Sequence, residues 1–280
     1  IGRWLVVAVS KERWRGKDRV KRFITDNGSG NMIYTPVKVV DSMLDLLPEE
    51  IWSNKDAKFL DICSKSGVFL ERIYWRLEQG LKKEIPNFMD RSDHILTKQL
   101  FGIAPSEDYA EIARGIVYGT YRADHQRAFT DKFSNRYGNI KVMERVIDGY
   151  KNDIFEIIKE QTGEMFKDTI KEAFGDMKFD VIIGNPPYQD TNGGGSQGKV
   201  ATPLYHKFII KADQLGARYI SMIVPTRWYT GDGKELDELR NLLLSKHMKQ
   251  IIDFTDSEEC FDGVRITGGV CYFIVDREYS

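Results

Sequence analysis

The chain has 280 residues, 41% hydrophobic and 30% charged, with a net charge of −1; it can form one large α/β domain or two small ones, with ample core. No apolar run approaches membrane-span length and no stretch reads as a signal or transit peptide. Cys63, Cys260 and Cys271 have neither metal-ligand nor disulfide spacing, and His94, His125, His206 and His247 are scattered, which argues against a zinc enzyme and points to a reducing, cytoplasmic setting.

In chain order, residues 1–22 carry Arg3, Lys11, Arg13, Arg15, Lys17, Arg19, Lys21 and Arg22 against Glu12 and Asp18. A solvated helix face is the first reading, and a phosphate-contacting surface the second. Thr25-Asp26-Asn27-Gly28-Ser29-Gly30-Asn31 is turn-rich, so a basic N-terminal segment and linker (1–31) is expected before a main domain (32–280). The chain opens on Ile1, which suggests a fragment or a trimmed product.

Thr35 is placed to cap a helix with Pro36 at its first position, and Val39, Val40, Met43, Leu44 and Leu47 keep one face apolar up to Pro48. A strand is expected over 58–62, a helix from Gly67 to Leu77, and a second strand over 99–103. Ser106 then opens a helix that buries Tyr109, Ile112, Ala113, Ile116 and Val117. Residues 119–178 are the least legible, with a strand near 140–143 and one or two amphipathic helices. After the apolar run 179–183, Thr202-Pro203 begins a helix, 219–224 is a strand ending at Pro225, and 236–244 is helical. The last strands fall at 251–254 and 270–275. Short apolar runs alternating with helical patterns give a doubly wound, mainly parallel sheet of about six or seven strands.

In such sheets ligands bind beyond the carboxyl ends of strands, so the residues just after strands carry the chemistry. Asp61-Ile62-Cys63-Ser64-Lys65-Ser66-Gly67-Val68-Phe69 follows the first strand and opens a helix, whose free N–H groups and Gly67 would let backbone approach a ligand. Asn185-Pro186-Pro187-Tyr188 ends a strand that reads as buried. An aromatic primary amine is a poor nucleophile because its lone pair is delocalised into the ring. Two oxygen acceptors, the Asn185 side chain and the Pro186 carbonyl, would grip its N–H bonds and free that lone pair. The two prolines hold the acceptors in one extended conformation, and Tyr188 offers a flat face for a planar base. A rigid turn ending a core strand is the alternative for these residues taken alone.

The Thr-Pro helix start, the glycine turn and Asn-Pro-Pro-Tyr, in that order, resemble the N6-adenine DNA methyltransferases of gamma-type motif order, specifically restriction–modification methylases, including fused restriction–methylation polypeptides. The resemblance covers about residues 33–275 and includes the final "VRITGGVCYFIV" segment. It implies a Rossmann-like S-adenosylmethionine-dependent methyltransferase fold with a mainly parallel seven-stranded sheet and a C-terminal antiparallel strand. It implies S-adenosylmethionine as cofactor, double-stranded DNA as partner, and a nuclease or target-recognition domain or subunit outside this chain. The reaction implied is site-specific adenine-N6 methylation of a flipped base in a restriction–modification system, with no metal. By the same resemblance, Asp61 to Phe69 form the cofactor turn, with Asp61, Ile62, Cys63, Ser64, Gly67 and Phe69 as its binding residues and the backbone of Ser64 to Gly67 near the methionine moiety, and Thr35 and Pro36 close over the cofactor. Asp153, or in competition Asp148, contacts its adenine. Asn185 and Pro186 bind the target amine, Pro187 stiffens the segment, and Tyr188 stacks on the flipped base.

Two positions depart from the family pattern: Lys65 stands where glycine is usual, and Ala104 where an acidic residue usually holds the ribose hydroxyls. Ser106 or Glu107 would have to substitute for the latter; otherwise cofactor affinity falls and a degenerate or partner-dependent enzyme follows. Methylation of RNA or of a protein glutamine, and a non-catalytic DNA-binding subunit, are the competing functions. "GGGSQGKV" (193–200) nearly fits a phosphate-binding loop, but Val200 lacks the hydroxyl such a loop needs for magnesium, so it reads as a loop bordering the base pocket.

Overall fold

The structure is a computed structural model describing residues 33–119, 138–147, 150–190, 202–230, 236–244 and 247–279. The basic segment 1–31, Asp148 and the 193–200 loop lie outside the described residues.

The first helix, α1, runs Val37–Leu44 and buries Val39, Val40, Met43 and Leu44, as the apolar spacing predicts. Its cap differs from expectation. Pro36 is the N-cap residue and no side chain caps the helix; the Thr35 hydroxyl instead accepts from Asn185, far along the chain (3.1 Å). Strand β1 (Phe59–Asp61) leads through the glycine turn into α2 (Val68–Gly80). A short helix not expected from the sequence, α3 (Phe88–His94), and a π-helical turn (Ile95–Gln99) precede β2 (Leu100–Ala104). Helix α4 (Glu107–Val117) follows, then β3 (Ile140–Val142).

A two-stranded antiparallel hairpin, β4 (Arg145–Ile147) and β5 (Tyr150–Asn152), separates β3 from α5 (Ile154–Glu160) and α6 (Gly163–Phe174). Strand β6 (Val181–Gly184) carries Asn185-Pro186-Pro187-Tyr188 at its end. Helix α7 spans Tyr205–Gln214 and starts later than Thr202-Pro203. Pro203 instead bridges Gln189 in antiparallel fashion, and the Leu204 amide donates to the Tyr188 carbonyl (3.1 Å), so tertiary pairing overrides the local helix signal. Strands β7 (Tyr219–Pro225), β8 (Met248–Phe254) and β9 (Val270–Asp276), with α8 (Asp237–Leu243) after β7, complete the domain.

The seven-stranded sheet has the order β3-β2-β1-β6-β7-β9-β8. Its first five strands are parallel and β9 is inserted antiparallel between β7 and β8. Strand side chains alternate between two apolar layers. Phe59, Val181, Ile183 and Ile223 pack with Val40, Leu44, Leu70, Ile73 and Ala113 of α1, α2 and α4. Leu60, Ile62, Ile182 and Met222 pack with Ile154, Phe166, Ile170, Phe208 and Leu239 of α5–α8. This is a helix–sheet–helix sandwich, with strand order reversing at β1 and β6, where a crevice opens beyond the strand ends.

Candidate active site

Turns after β1 and β6 meet the chain entering α1 in one cavity, lined by Ile33, Tyr34, Thr35, Asp61, Cys63, Lys65, Ser66, Gly67, Val68, Phe69 and Asn185. Of the residues expected from the sequence, Thr35, Asp61, Cys63, Gly67, Phe69 and Asn185 face it. Pro36 lies just outside, and Ile62 points into the opposite apolar layer. The Ser64 amide donates to the Ile103 carbonyl of β2 (2.7 Å), which pins the turn to the sheet. Asp153 caps α5, its Oδ1 accepting from Phe155 N (2.9 Å) and Glu156 N (3.1 Å), and is not among the lining residues.

Gly67 adopts φ 76°, where a side chain is strained, and an added Cβ would lie 3.0 Å from the Ala113 Cα of α4. The glycine therefore serves both the turn and the close seating of α2 on α4.

Asp61 ends β1 with its carboxylate buried; its Oδ1 accepts from the Cys63 amide (3.2 Å). Burial pushes its pKa up to about 7, opposed by the Cys63 amide, the Ser64 hydroxyl and the Lys65 ammonium. A Cβ on Gly184 would come within 3.1 Å of that carboxylate, so the last residue of β6 leaves the space in which Asp61 sits. Burial raises the Cys63 thiol to about 12, so no thiolate nucleophile forms there.

Asn185 is 3% exposed and donates from Nδ2 to the Ile33 carbonyl (3.1 Å) and the Thr35 hydroxyl (3.1 Å). Because a carbonyl only accepts, these bonds fix the amide's orientation. Its Oδ1 is left buried with no partner among the described residues. An unpaired buried acceptor costs about 1–3 kcal/mol, the kind of cost a binding site carries until a donor arrives. Pro186 and Pro187 are buried next to it. The following residues are held on two sides: Asp190 pairs with Lys159 of α5 (2.7 Å) and its amide donates to the Thr202 carbonyl (3.0 Å). Tyr188 is partly buried against both apolar layers near Cys260 and Cys271, and its hydroxyl is covered without a partner among the described residues.

Of the two departures, Ala104 is wholly buried at the end of β2, and the Glu107 carboxylate pairs with Arg114 (2.5 Å) within its own helix. Lys65 fills part of the cavity wall, 6% exposed, with Nζ donating to the same Ile33 carbonyl that Asn185 holds (3.0 Å). Sequence reasoning did not find Ile33 or Tyr34, and it placed Ser66 and Val68 in the cofactor turn without singling them out. Ile33 contributes a backbone oxygen, which leaves no mark in residue type.

A doubly wound sheet of this order, with a glycine turn after the first strand and an Asn-Pro-Pro-Tyr end on its neighbour, defines a Rossmann-like methyltransferase. Residues 98–261 match the family model "Eco57I restriction-modification methylase". An uncharacterized adenine-specific methylase of Mycoplasma pneumoniae is 34% identical, over 96% of this chain and 72% of its own length. The chain belongs to the Eco57I restriction-modification methylase family. Among solved structures, a modification subunit of a putative type I restriction enzyme from Vibrio vulnificus YJ016 shares the fold (TM-score 0.56, 15% identity), over 94% of this chain and 48% of that one. The ATP-dependent type ISP restriction-modification enzyme LlaBIII bound to DNA does so too (TM-score 0.56, 15% identity), over 93% of this chain and 21% of that one. The chain thus spans about half the length of the Vibrio protein and a fifth of LlaBIII. Among the described residues no helix is long and apolar enough to cross a membrane.

Proposed function

We propose that this chain is the catalytic domain of a site-specific DNA adenine-N6 methyltransferase of a restriction–modification system, with S-adenosylmethionine as methyl donor. The observation that carries the reading is the buried, partnerless Asn185 Oδ1, held in fixed orientation at the wall of the cavity after β1. The residues present fit the cofactor: Asp61, Lys65 and the start of α2 after Gly67 offer a carboxylate, an ammonium and backbone N–H groups around one cavity. When bound there, the cofactor supplies an electrophilic methyl group on a sulfonium.

The protein's share of the work is positioning and polarisation. Asn185 Oδ1 and the Pro186 carbonyl accept from the two N–H bonds of the target amine and stabilise the positive charge that grows on its nitrogen during attack. The rigid Pro-Pro pair keeps those acceptors in place before substrate arrives. An adenine N6 in a duplex is paired and stacked, so the base must leave the helix, and the Tyr188 ring is the surface on which it stacks. Target recognition and any nuclease belong to other domains or subunits, a division supported by the much greater length of the DNA-bound LlaBIII.

Single-molecule sequencing of DNA from cells expressing the full-length gene tests the reading. N6-methyladenine confined to one sequence context is expected; unmodified DNA, with tritiated methyl appearing in RNA or protein instead, would overturn it.

A further inference from the structure

Lys65, which stands where the family pattern has glycine, is the one cation among the residues lining the cavity, and Asp61 is the one carboxylate. Its ammonium has three N–H donors, and among the described residues one of them is taken, by the neutral Ile33 carbonyl at 3.0 Å. A buried ammonium held by a single neutral oxygen is under-compensated, and its burial favours the neutral amine while nearby Cys63 and Asp61 oppose that. The arrangement calls for an anion inside the cavity. S-adenosylmethionine carries two cationic groups, the sulfonium and the α-ammonium, both of which Lys65 repels. Its α-carboxylate is the one group Lys65 attracts. A buried cation and a buried carboxylate lining one cavity match the two charges of an amino-acid headgroup, with the α-ammonium turned to Asp61.

We propose that Lys65 binds the α-carboxylate of the cofactor's methionine moiety and so selects ligands with an intact amino-acid end. The proposal rests on the methyltransferase reading above, and goes beyond it in turning an apparent defect of the glycine turn into a recognition element.

Calorimetric binding by the full chain, without DNA and without turnover, tests it with S-adenosylmethionine and its decarboxylated form, which keeps the sulfonium and the amine. Wild type is expected to prefer the intact ligand by about tenfold or more, as for loss of one charge-assisted hydrogen bond. Lys65→Met should abolish that preference, and should bind the decarboxylated ligand at least as well as wild type does. A variant that keeps the wild-type preference, or a wild type with no preference, overturns the proposal. Should Lys65→Met fail to fold, Lys65→Gln replaces it, and the ligand comparison on wild type still decides against the proposal if no preference appears. A wild type that binds neither ligand at millimolar concentration fails the methyltransferase reading itself, which separates the two failures.

Discussion

Replacing Asn185 by alanine separates what this residue does for stability from what it does for chemistry. The substitution removes two hydrogen bonds, to the Ile33 carbonyl and the Thr35 hydroxyl. At about 0.5–1.5 kcal/mol each they contribute about 1–3 kcal/mol. It also removes the unpaired buried Oδ1, which costs the native protein about 1–3 kcal/mol. Ile33 keeps its bond from Lys65, so that carbonyl is not stranded. The two contributions nearly cancel, and the melting temperature should move by no more than about 2–4 °C, roughly 1 kcal/mol in a domain of this size. Methyl transfer should fall by about 10²–10³-fold or more, the scale seen when one preorganised transition-state contact is removed. Cofactor affinity should stay within a few-fold. Calorimetry, binding of the demethylated cofactor and tritiated methyl transfer to DNA measure the three quantities on one preparation. Unchanged transfer would refute the polarising role. A loss of about 3 kcal/mol or more in stability would show that Asn185 is a structural residue whose Oδ1 finds a partner.

Three further outcomes follow from the same geometry. Tyr188→Phe should leave transfer near wild type and leave the fold as stable or more so, since among the described residues its buried hydroxyl has no partner, whereas Tyr188→Ala should raise the Michaelis constant for DNA with turnover remaining; equal kinetics for Ala and Phe would remove the ring from the site. Asp61 is harder to ionise in the folded chain than in the unfolded one, so between about pH 4 and 7 the native state holds the extra proton, and the Asp61 share of stability is lost as pH rises through that window. Denaturation across pH should therefore show a slope that Asp61→Asn flattens, and an unchanged slope would contradict the burial argument. Arg91→Met strands Glu78, its partner at 2.5 Å with both side chains at most 6% exposed, and should cost about 3–5 kcal/mol in urea denaturation. A cost under about 1 kcal/mol would mean that Glu78 is satisfied by Gln79 and Lys82 alone.

The parts of this fold that were legible in the sequence are those where local pattern and tertiary role coincide. Val181–Ile183 are buried on both faces of a central strand, hence a continuous apolar run, and the glycine turn after β1 needs a residue tolerant of φ 76°. Helix α3 was missed because its buried residues are Arg91 and Ser92, which leaves no apolar period to find; the Asn87 cap, accepting from Met89 N and Asp90 N, was its only local mark. Thr35-Pro36 and Thr202-Pro203 both carry helix-start chemistry, yet the first gives its hydroxyl to Asn185 and the second pairs with Gln189. Their partners are distant in sequence, so no window around them holds the information. For the site, Asn185 could be found by residue type, but the Ile33 oxygen that orients it could not.

That single oxygen accepts from Lys65 and from Asn185 at once. Two donors on one carbonyl compete: each draws on the same lone-pair density, and weakening one strengthens the other. Removing the Lys65 ammonium would therefore leave that carbonyl to the Asn185 amide alone. The Lys65 and Asn185 side chains thus meet at one backbone oxygen, and the stability effects of substituting them should not add.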